Sequence, residues 1–294
     1  MLGLACGDAL GRPVEFQSSL AINEEYGRVT EMYGNGTHGQ PAGTVTDDTD
    51  LALRIGRSLV ECGEFNGADV AQRLVEWYES DPFDVGPMTA DAISRLQSGE
   101  SWQEAGQRVW ESRAEGSNAG NGSLMRCAPH ALAFHDDHTR LAEVAAASSR
   151  ITHADPRCVE GCVALTRVIA ELLDGTDPEA AATAALSLAA DRDAPREIRT
   201  ALANATERAD ATLETTGYVV HTLETGLHEG LTADSAEDGI VSAVSRGGDA
   251  DTIGAVAGAV AGARFGADAL PDRWLDVLDE ATEIRAVATE LAAL

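Results

Sequence analysis

Along most of this chain apolar residues return every three or four positions, and no run alternates apolar with polar residues at the spacing of a sandwich. That period places one apolar stripe on a helix and argues against an all-β architecture. Thr49 to Cys62 shows it, with Leu51, Leu53, Ile55, Leu59 and Val60. The strongest stretch opens at Pro156 and runs to Leu173, carrying Val159, Val163, Leu165, Val168, Ile169 and Leu172. The same reading predicts helices over Ala68 to Tyr78, Ser101 to Arg113, Arg140 to Ser149, Pro178 to Ala190 and Pro195 to Leu213. It predicts others over Val219 to Glu229, Ala233 to Ser245, Thr252 to Phe265 and Arg273 to Leu294. Gly27 to Tyr33 is the one segment predicted as a strand or extended chain. No repeat of fixed length and no Pro/Ser-rich linker divides the 294 residues. The expectation is therefore an all-α fold, a single compact orthogonal multi-helix domain over residues 1–294.

Within Thr252 to Phe265, Gly254, Gly258 and Gly262 recur every four residues, flanked by Ala255, Ala259 and Ala263. Glycine costs about 1 kcal/mol relative to alanine inside a helix. A stripe of small residues lets another helix approach closely, so this segment is expected to be a central packed helix. Its apolar stretch Ile253 to Ala263 is too short to cross a bilayer. The first twenty residues carry Asp8, Arg12 and Glu15 and no long apolar run, so no signal peptide is expected and a cytoplasmic protein is. The five cysteines (Cys6, Cys62, Cys127, Cys158 and Cys162) form no C-x-x-C pair, and reduced thiols are expected.

Charge narrows the partners. There are 49 Asp plus Glu against 21 basic residues, all of them Arg, for a formal net charge of −28. Such a chain repels itself in dilute buffer. At molar salt the screening length shrinks to about 3 Å, so the acidity and the missing lysine read as adaptation to a salty cytoplasm. The same charge argues against binding nucleic acid by phosphate neutralisation.

Two acidic triplets carry the chemistry. Thr46-Asp47-Asp48 and Asp249-Ala250-Asp251-Thr252 each supply two carboxylates and a hydroxyl just before a predicted helix. Hard oxygen ligands suit Mg²⁺, Mn²⁺ or Ca²⁺ rather than zinc or copper. The same residues also cap helix N-termini, worth about 1 kcal/mol each. For either triplet alone capping suffices; the two together favour a shared site, with room for two cations about 3.5–4 Å apart. A third element, Gly120-Asn121-Gly122-Ser123-Leu124-Met125-Arg126, is a glycine-rich turn entering a helix, able to cradle phosphate on backbone N–H groups or simply to turn. Arg126 either adds charge there or points elsewhere. A fourth, Gly7-Asp8-Ala9-Leu10-Gly11-Arg12-Pro13-Val14-Glu15-Phe16, ends in a carboxylate that is either a loop-borne acid or base or simply solvated.

In this order, G-D-A-L-G-x-P-x-E-F, T-D-D-T, G-N-G-S-L-M-R, T-H-x-D-P and G-G-D-x-D-T-I-G-A resemble the ADP-ribosylglycohydrolase family, from Gly3 to about Trp274. The resemblance implies an all-α fold with two Mg²⁺ or Mn²⁺ ions at the base of a cleft. It implies Thr46, Asp47, Asp48, Asp249, Asp251 and Thr252 as metal ligands, and Glu15 beside the scissile ribose. Gly120, Asn121, Gly122, Ser123 and Met125 match the loop that holds the diphosphate and nearby ribose. His153 matches a substrate-cleft histidine, Tyr218 is similar to an adenine-stacking tyrosine of the bacterial branch, and Asp84 resembles a cleft aspartate that assists the leaving group. On residues alone, His153 could cap the next helix, Tyr218 could be core and Asp84 could serve a turn. The chain departs from the family in two places. Met1 stands only two residues ahead of Gly3, which implies a short first helix or a start further upstream. His221 stands where the bacterial branch commonly has an acidic residue, which bears on acceptor choice.

The implied reaction is metal-dependent hydrolysis of the glycosidic bond between ADP-ribose and an acceptor. Cations would engage the distal ribose and water, and Glu15, Asp84 and Asp251 are the candidate catalytic residues beside an oxocarbenium-like centre. ADP-ribosyl-arginine on a protein is the expected substrate, with ADP-ribosyl-serine and O-acetyl-ADP-ribose as alternatives. A metal-dependent phosphohydrolase and a non-catalytic ADP-ribose-binding protein are the rivals from other classes. A monomer is expected, with neither nucleic acid nor membrane as partner.

Overall fold

The computed structural model describes residues 1–206 and 213–294. Sixteen α-helices occur among them. In the first half these are α1 (Leu2–Gly11), α2 (Ser19–Tyr26), α3 (Asp47–Cys62), α4 (Gly67–Glu79), α5 (Pro87–Gln97), α6 (Ala105–Ser112), α7 (Ala128–Phe134) and α8 (His138–Arg150). In the second they are α9 (Pro156–Leu173), α10 (Pro178–Asp191), α11 (Arg196–Asn204), α12 (Val219–Thr232), α13 (Ala236–Ser245), α14 (Ala250–Phe265), α15 (Asp272–Leu275) and α16 (Ala281–Leu291). No strand is present among the described residues; only isolated bridges occur, at Ser18–Gly247, Asn35–Gln40 and Gly120–Tyr218. The fold is all-α, as the spacing of apolar residues required.

The centre is the antiparallel pair α1–α14. Every residue of α1 is buried, as are the residues of α14 from Ala250 to Ala261. The glycines of α14 meet a second glycine series on α1, also spaced by four. A Cβ on Gly3 would lie 2.1 Å from the Gly258 carbonyl oxygen, and one on Gly7 would lie 1.9 Å from that of Gly254. The two backbones touch, so any side chain there displaces a whole helix. Helices α12, α13 and α9 complete the wrapping of α14. Gly226 and Gly230 of α12 repeat the device against Val256 and Val260. One apolar cluster gathers α3, α4, α13 and α16 on one side of this axis, and another gathers α9 to α12 on the other.

Three expectations change. Gly27 to Tyr33 is not a strand, because nothing pairs with it. Its polar backbone is met from elsewhere: Val29 N–H donates to Ser245 Oγ, and Trp274 Nε1 donates to the Thr30 carbonyl. The single helix predicted from Arg273 to Leu294 is two, α15 and α16. The chain between them turns through Glu280 at φ 56°, which lets Trp274 and Leu278 bury and lets Asp279 N–H bond the Gly43 carbonyl. The helix predicted over Pro195 to Leu213 is α11 as far as Asn204, and its part at 207–212 lies outside the described residues. Helices α1, α2, α5 and α7 were not apparent from periodicity; all four are short. All five cysteines are free thiols, with Cys62 alone exposed. No helix among the described residues is long and apolar enough to cross a membrane.

Candidate metal centre and cleft

Because α1 and α14 run antiparallel, the C-terminal end of α1 and the N-terminal end of α14 lie together, and α3 starts beside them. Both acidic triplets therefore meet. Thr252 Oγ1 donates to Asp48 Oδ2 at 3.3 Å, across 204 positions of sequence. Thr46, Asp47, Asp48, Asp251 and Thr252 are all buried.

The capping question resolves in favour of a residue that sequence reading left aside. Asp8, fully buried on α1, accepts hydrogen bonds from the backbone N–H groups of Thr46 and Thr49 (3.1 Å each) and from their hydroxyls (3.0 and 2.5 Å). Asp8 thus satisfies the start of α3, aided by Thr46, whose Oγ1 accepts from Asp48 N–H at 3.4 Å. The carboxylates of Asp47 and Asp48 are released from that task. At α14 the Asp249 side chain makes no cap; it accepts instead from Asn121 Nδ2 at 2.6 Å. The signal for Asp8 was the D of G-D-A-L-G, whose contacts no spacing rule could supply.

Electrostatics then decides what these groups can do. Asp48 Oδ1 and Asp251 Oδ1 are buried with no hydrogen-bond partner. Burial, followed by the charges of Asp8 and Asp47, holds the Asp48 carboxyl well above its ordinary range. Burial, followed by Asp249 and Asp48, does the same to Asp251, and burial followed by Asp84 does so to Asp47. Asp249 is raised as well, chiefly by burial, and Asp8 is pushed up to about 6 by burial against its own hydrogen bonds. Leaving ions unpaired in such a place costs several kcal/mol each. The cluster must hold protons or take up cations. An all-oxygen donor set with orphaned oxygens fits hard divalent ions of the Mg²⁺ or Mn²⁺ class. Oxygens of Glu15, Asp249 and Asp251 also lie within 4.8 Å of one another.

A cavity of about 670 Å³ opens above this floor. Glu15, Phe16 and Asp84 line one side, and Gly120, Asn121, Gly122, Met125 and His153 line another. No Arg among the described residues lines it. The glycine loop is tied to the start of α12: Asn121 N–H donates to the Gly217 carbonyl and Val219 N–H to that of Ala119. His153 packs so closely on Gly122 that a Cβ there would sit 2.9 Å from its ring. Burial pushes the His153 imidazole down to about 3, so the ring is neutral. It is not a helix cap, since Asp155 caps α9. Arg126 points away from the cavity and donates to Thr152 Oγ1 at 2.7 Å.

Two expected substrate-binding residues lie outside the cavity lining. The Ser123 side chain faces the core, where its Oγ accepts from Ser149 Oγ and Cys162 Sγ. It follows the last glycine of the loop and enters the turn that leads inward. Tyr218 is half-buried and outside the cavity lining, although Gly217 beside it belongs to that lining. The Arg157 guanidinium sits over its ring at 5.6 Å, and His221 meets it edge-on at 4.9 Å. Tyr218 is thus not core, whereas Val219 and Val220, which follow it, are buried.

Glu15 is buried, and its carboxyl is pushed up to about 7 by burial, opposed by a hydrogen bond from His38 and reinforced by Asp84 and Asp249. Its partner, His38 Nε2, is 2.6 Å from Glu15 Oε2 and 3.8 Å from Asp84 Oδ2. Sequence reading passed over His38, which sits in a polar, glycine-rich loop with no helical or motif signal.

The family profile described as ADP-ribosylglycohydrolase matches residues 1–294. An ADP-ribosyl-[dinitrogen reductase] glycohydrolase of Rhodospirillum rubrum is 35% identical over 294 residues, spanning 100% of this chain and 93% of that protein. An ADP-ribosylarginine hydrolase of Pseudomonas putida is 32% identical over 99% of this chain and 76% of its own length. A solved structure titled ADP-ribosylglycohydrolase-related protein complex superposes with a TM-score of 0.85 at 34% identity, covering 99% of this chain and 95% of that one.

Proposed function

Because the chain belongs to the ADP-ribosylglycohydrolase family, and is thereby a hydrolase of glycosyl bonds, we propose that it releases ADP-ribose from arginine side chains of proteins with the help of two Mg²⁺- or Mn²⁺-class ions. The observation that carries this reading is the cavity itself. Among the described residues its walls and floor bear Glu15, Asp47, Asp84, Asp249 and Asp251 and no Arg. With cations engaging the floor, Glu15 and Asp84 remain to face a guanidinium, a planar cation that carboxylates recognise through paired hydrogen bonds. Neither a serine hydroxyl nor an acetyl ester gains from that charge.

Thr46, Asp47, Asp48, Asp249, Asp251 and Thr252 would hold the cations, which when bound supply positive charge beside the ribose and activation of water. The protein's own groups do the rest. Glu15, whose carboxyl is raised to about 7 by burial, is placed to exchange a proton with the departing nitrogen or, ionised, to face the guanidinium and the cationic sugar carbon. Asp84 holds the guanidinium side of the bond. Gly120 and Gly122 present backbone without side chains toward the diphosphate, and neutral His153 and Met125 close that wall. Asn121 holds Asp249 in place. Tyr218, steadied by Arg157, offers a ring face beyond the lining for the adenine.

The deciding assay measures free ADP-ribose from an ADP-ribosyl-arginine protein in molar salt, with Mg²⁺ or Mn²⁺ and then with chelator, for wild type and Asp251→Ala. Metal-dependent release that the substitution abolishes is expected. Release only from serine or acetyl-ester conjugates would move the acceptor, and release of phosphate instead would replace the reaction. The net charge of −28 supports salt adaptation as part of this reading. A melting temperature that rises from 0.1 to 2 M KCl is expected, and equal stability in dilute buffer would remove that part.

A further inference from the structure

We propose that His38 is a positioning residue for hydrolysis: it fixes the carboxyl of Glu15 over the cation floor and spaces it from Asp84, and a clasp built on Arg12 exists to hold it there. The inference rests on the role given to Glu15 above.

The clasp begins with Arg12, whose guanidinium is buried without a carboxylate partner and donates instead to backbone carbonyls. It reaches Thr44 (3.0 Å), Asn35 (2.9 Å), Tyr33 (3.2 Å), Gln40 (3.4 Å) and Pro41 (2.8 Å). One side chain thus ties down a loop of about ten residues that has no helix of its own. A buried guanidinium is costly to place, and five carbonyls pointing at one centre are not a by-product of packing. The loop is pressed onto the segment after α1. Gly36, at φ +67°, approaches Pro13 so closely that a Cβ would lie 2.3 Å from its carbonyl oxygen. Thr37 Oγ1 donates to the Glu15 carbonyl at 2.7 Å, and His38 Nε2 meets the Glu15 carboxyl at 2.6 Å. Consecutive residues therefore grip the backbone and the side chain of the same glutamate.

His38 is held from the other side as well. Phe83 packs on its ring at 5.3 Å between centroids, and Asp84, the next residue, lies 3.8 Å from Nε2. The imidazole stands between two carboxylates that line the same side of the cavity. Without it Glu15 has no side-chain partner among the described residues, and no side chain ties it away from the cation floor, where oxygens of Asp249 and Asp251 lie within 4.8 Å of its own. A displacement near 1 Å at a reacting group costs on the order of 10²-fold in rate.

Three substitutions test this: His38→Ala removes the contact, His38→Phe keeps the packing on Phe83 without a donor, and His38→Gln restores a donor near Nε2. Each is assayed for ADP-ribose release at saturating Mn²⁺, with melting temperatures in parallel. The expected result is a fall in kcat of on the order of 10²-fold for Ala and Phe, KM within about threefold, and recovery in Gln to within about tenfold of wild type. Arg12 is left intact, since its loss would disturb folding. An active wild type with kcat unchanged in His38→Ala overturns the proposal. So does a His38→Gln protein that folds as well as wild type and is as slow as His38→Phe. A wild type silent on every conjugate sinks the proposed reaction and this role with it, and is told apart by the wild-type control.

Discussion

Two regions of the α1–α14 pair are built on opposite rules. Along its length two backbones touch through glycines, and closeness is favourable because dispersion and dry packing reward it. At its end carboxylates crowd without counter-charge, and closeness is unfavourable until something neutralises them. The difference explains why one helix pair can carry both. The seam makes the end rigid, so Asp249, Asp251 and Thr252 cannot drift from Asp47 and Asp48 to relieve repulsion. Stability spent at the end is recovered along the seam.

The largest effect expected from this comparison is in the seam. Gly7→Val places atoms where the Gly254 carbonyl stands, 1.9 Å from a Cβ, and should cost about 4 kcal/mol or more in urea unfolding at unchanged m-value. A loss below 1 kcal/mol would mean the helices can separate without consequence. Next comes the end. Mg²⁺ or Mn²⁺ at about a hundredfold excess over Kd should raise the unfolding free energy by about 2.7 kcal/mol, and chelator should remove the gain. Thermal melts that ignore both would deny the cluster its cations.

The pH dependence has a definite sign. The folded values of Asp8 and Glu15, about 6 and about 7, stand above their ordinary 3.8 and 4.5. The folded state therefore binds protons more readily than the unfolded one, and its stability falls as pH rises through those values. Cation-free protein should gain stability as pH drops from 8 to about 5, whereas saturating Mg²⁺ should flatten or reverse that slope. Cation-free denaturation curves at four pH values would expose an opposite trend. The smallest effect separates the two regions most sharply. Asp251→Asn removes one repelling charge and should raise cation-free stability by about 1 kcal/mol while abolishing activity. If it destabilises like a seam substitution, the end is not under electrostatic stress.

Helices with long apolar stripes were legible because 3.6-residue periodicity survives in sequence: α3, α9 and α10 lie within two residues of their predicted bounds. Short helices such as α7 were not, since seven residues hold too few turns to show a period, nor was the break between α15 and α16, which the bonds of Trp274 to Thr30 and of Asp279 to Gly43 shape from far away in sequence. Both acidic triplets were visible as candidates. That Asp8 frees the first from capping was not, nor was the contact between His38 and Glu15, because loops leave no period.

By itself, the sequence determined the helical class, the close-packing helix with its glycines and the type of ligand, since periodicity, residue size and donor chemistry are local properties. Tertiary structure alone decided which glycines face each other, that both triplets share one floor, that Ser123 turns inward and that Arg12 spans a loop to hold His38. Those are contacts between segments tens to hundreds of residues apart, and the energy that selects them, from burial and from charge brought into low dielectric, exists only once the chain has closed around them.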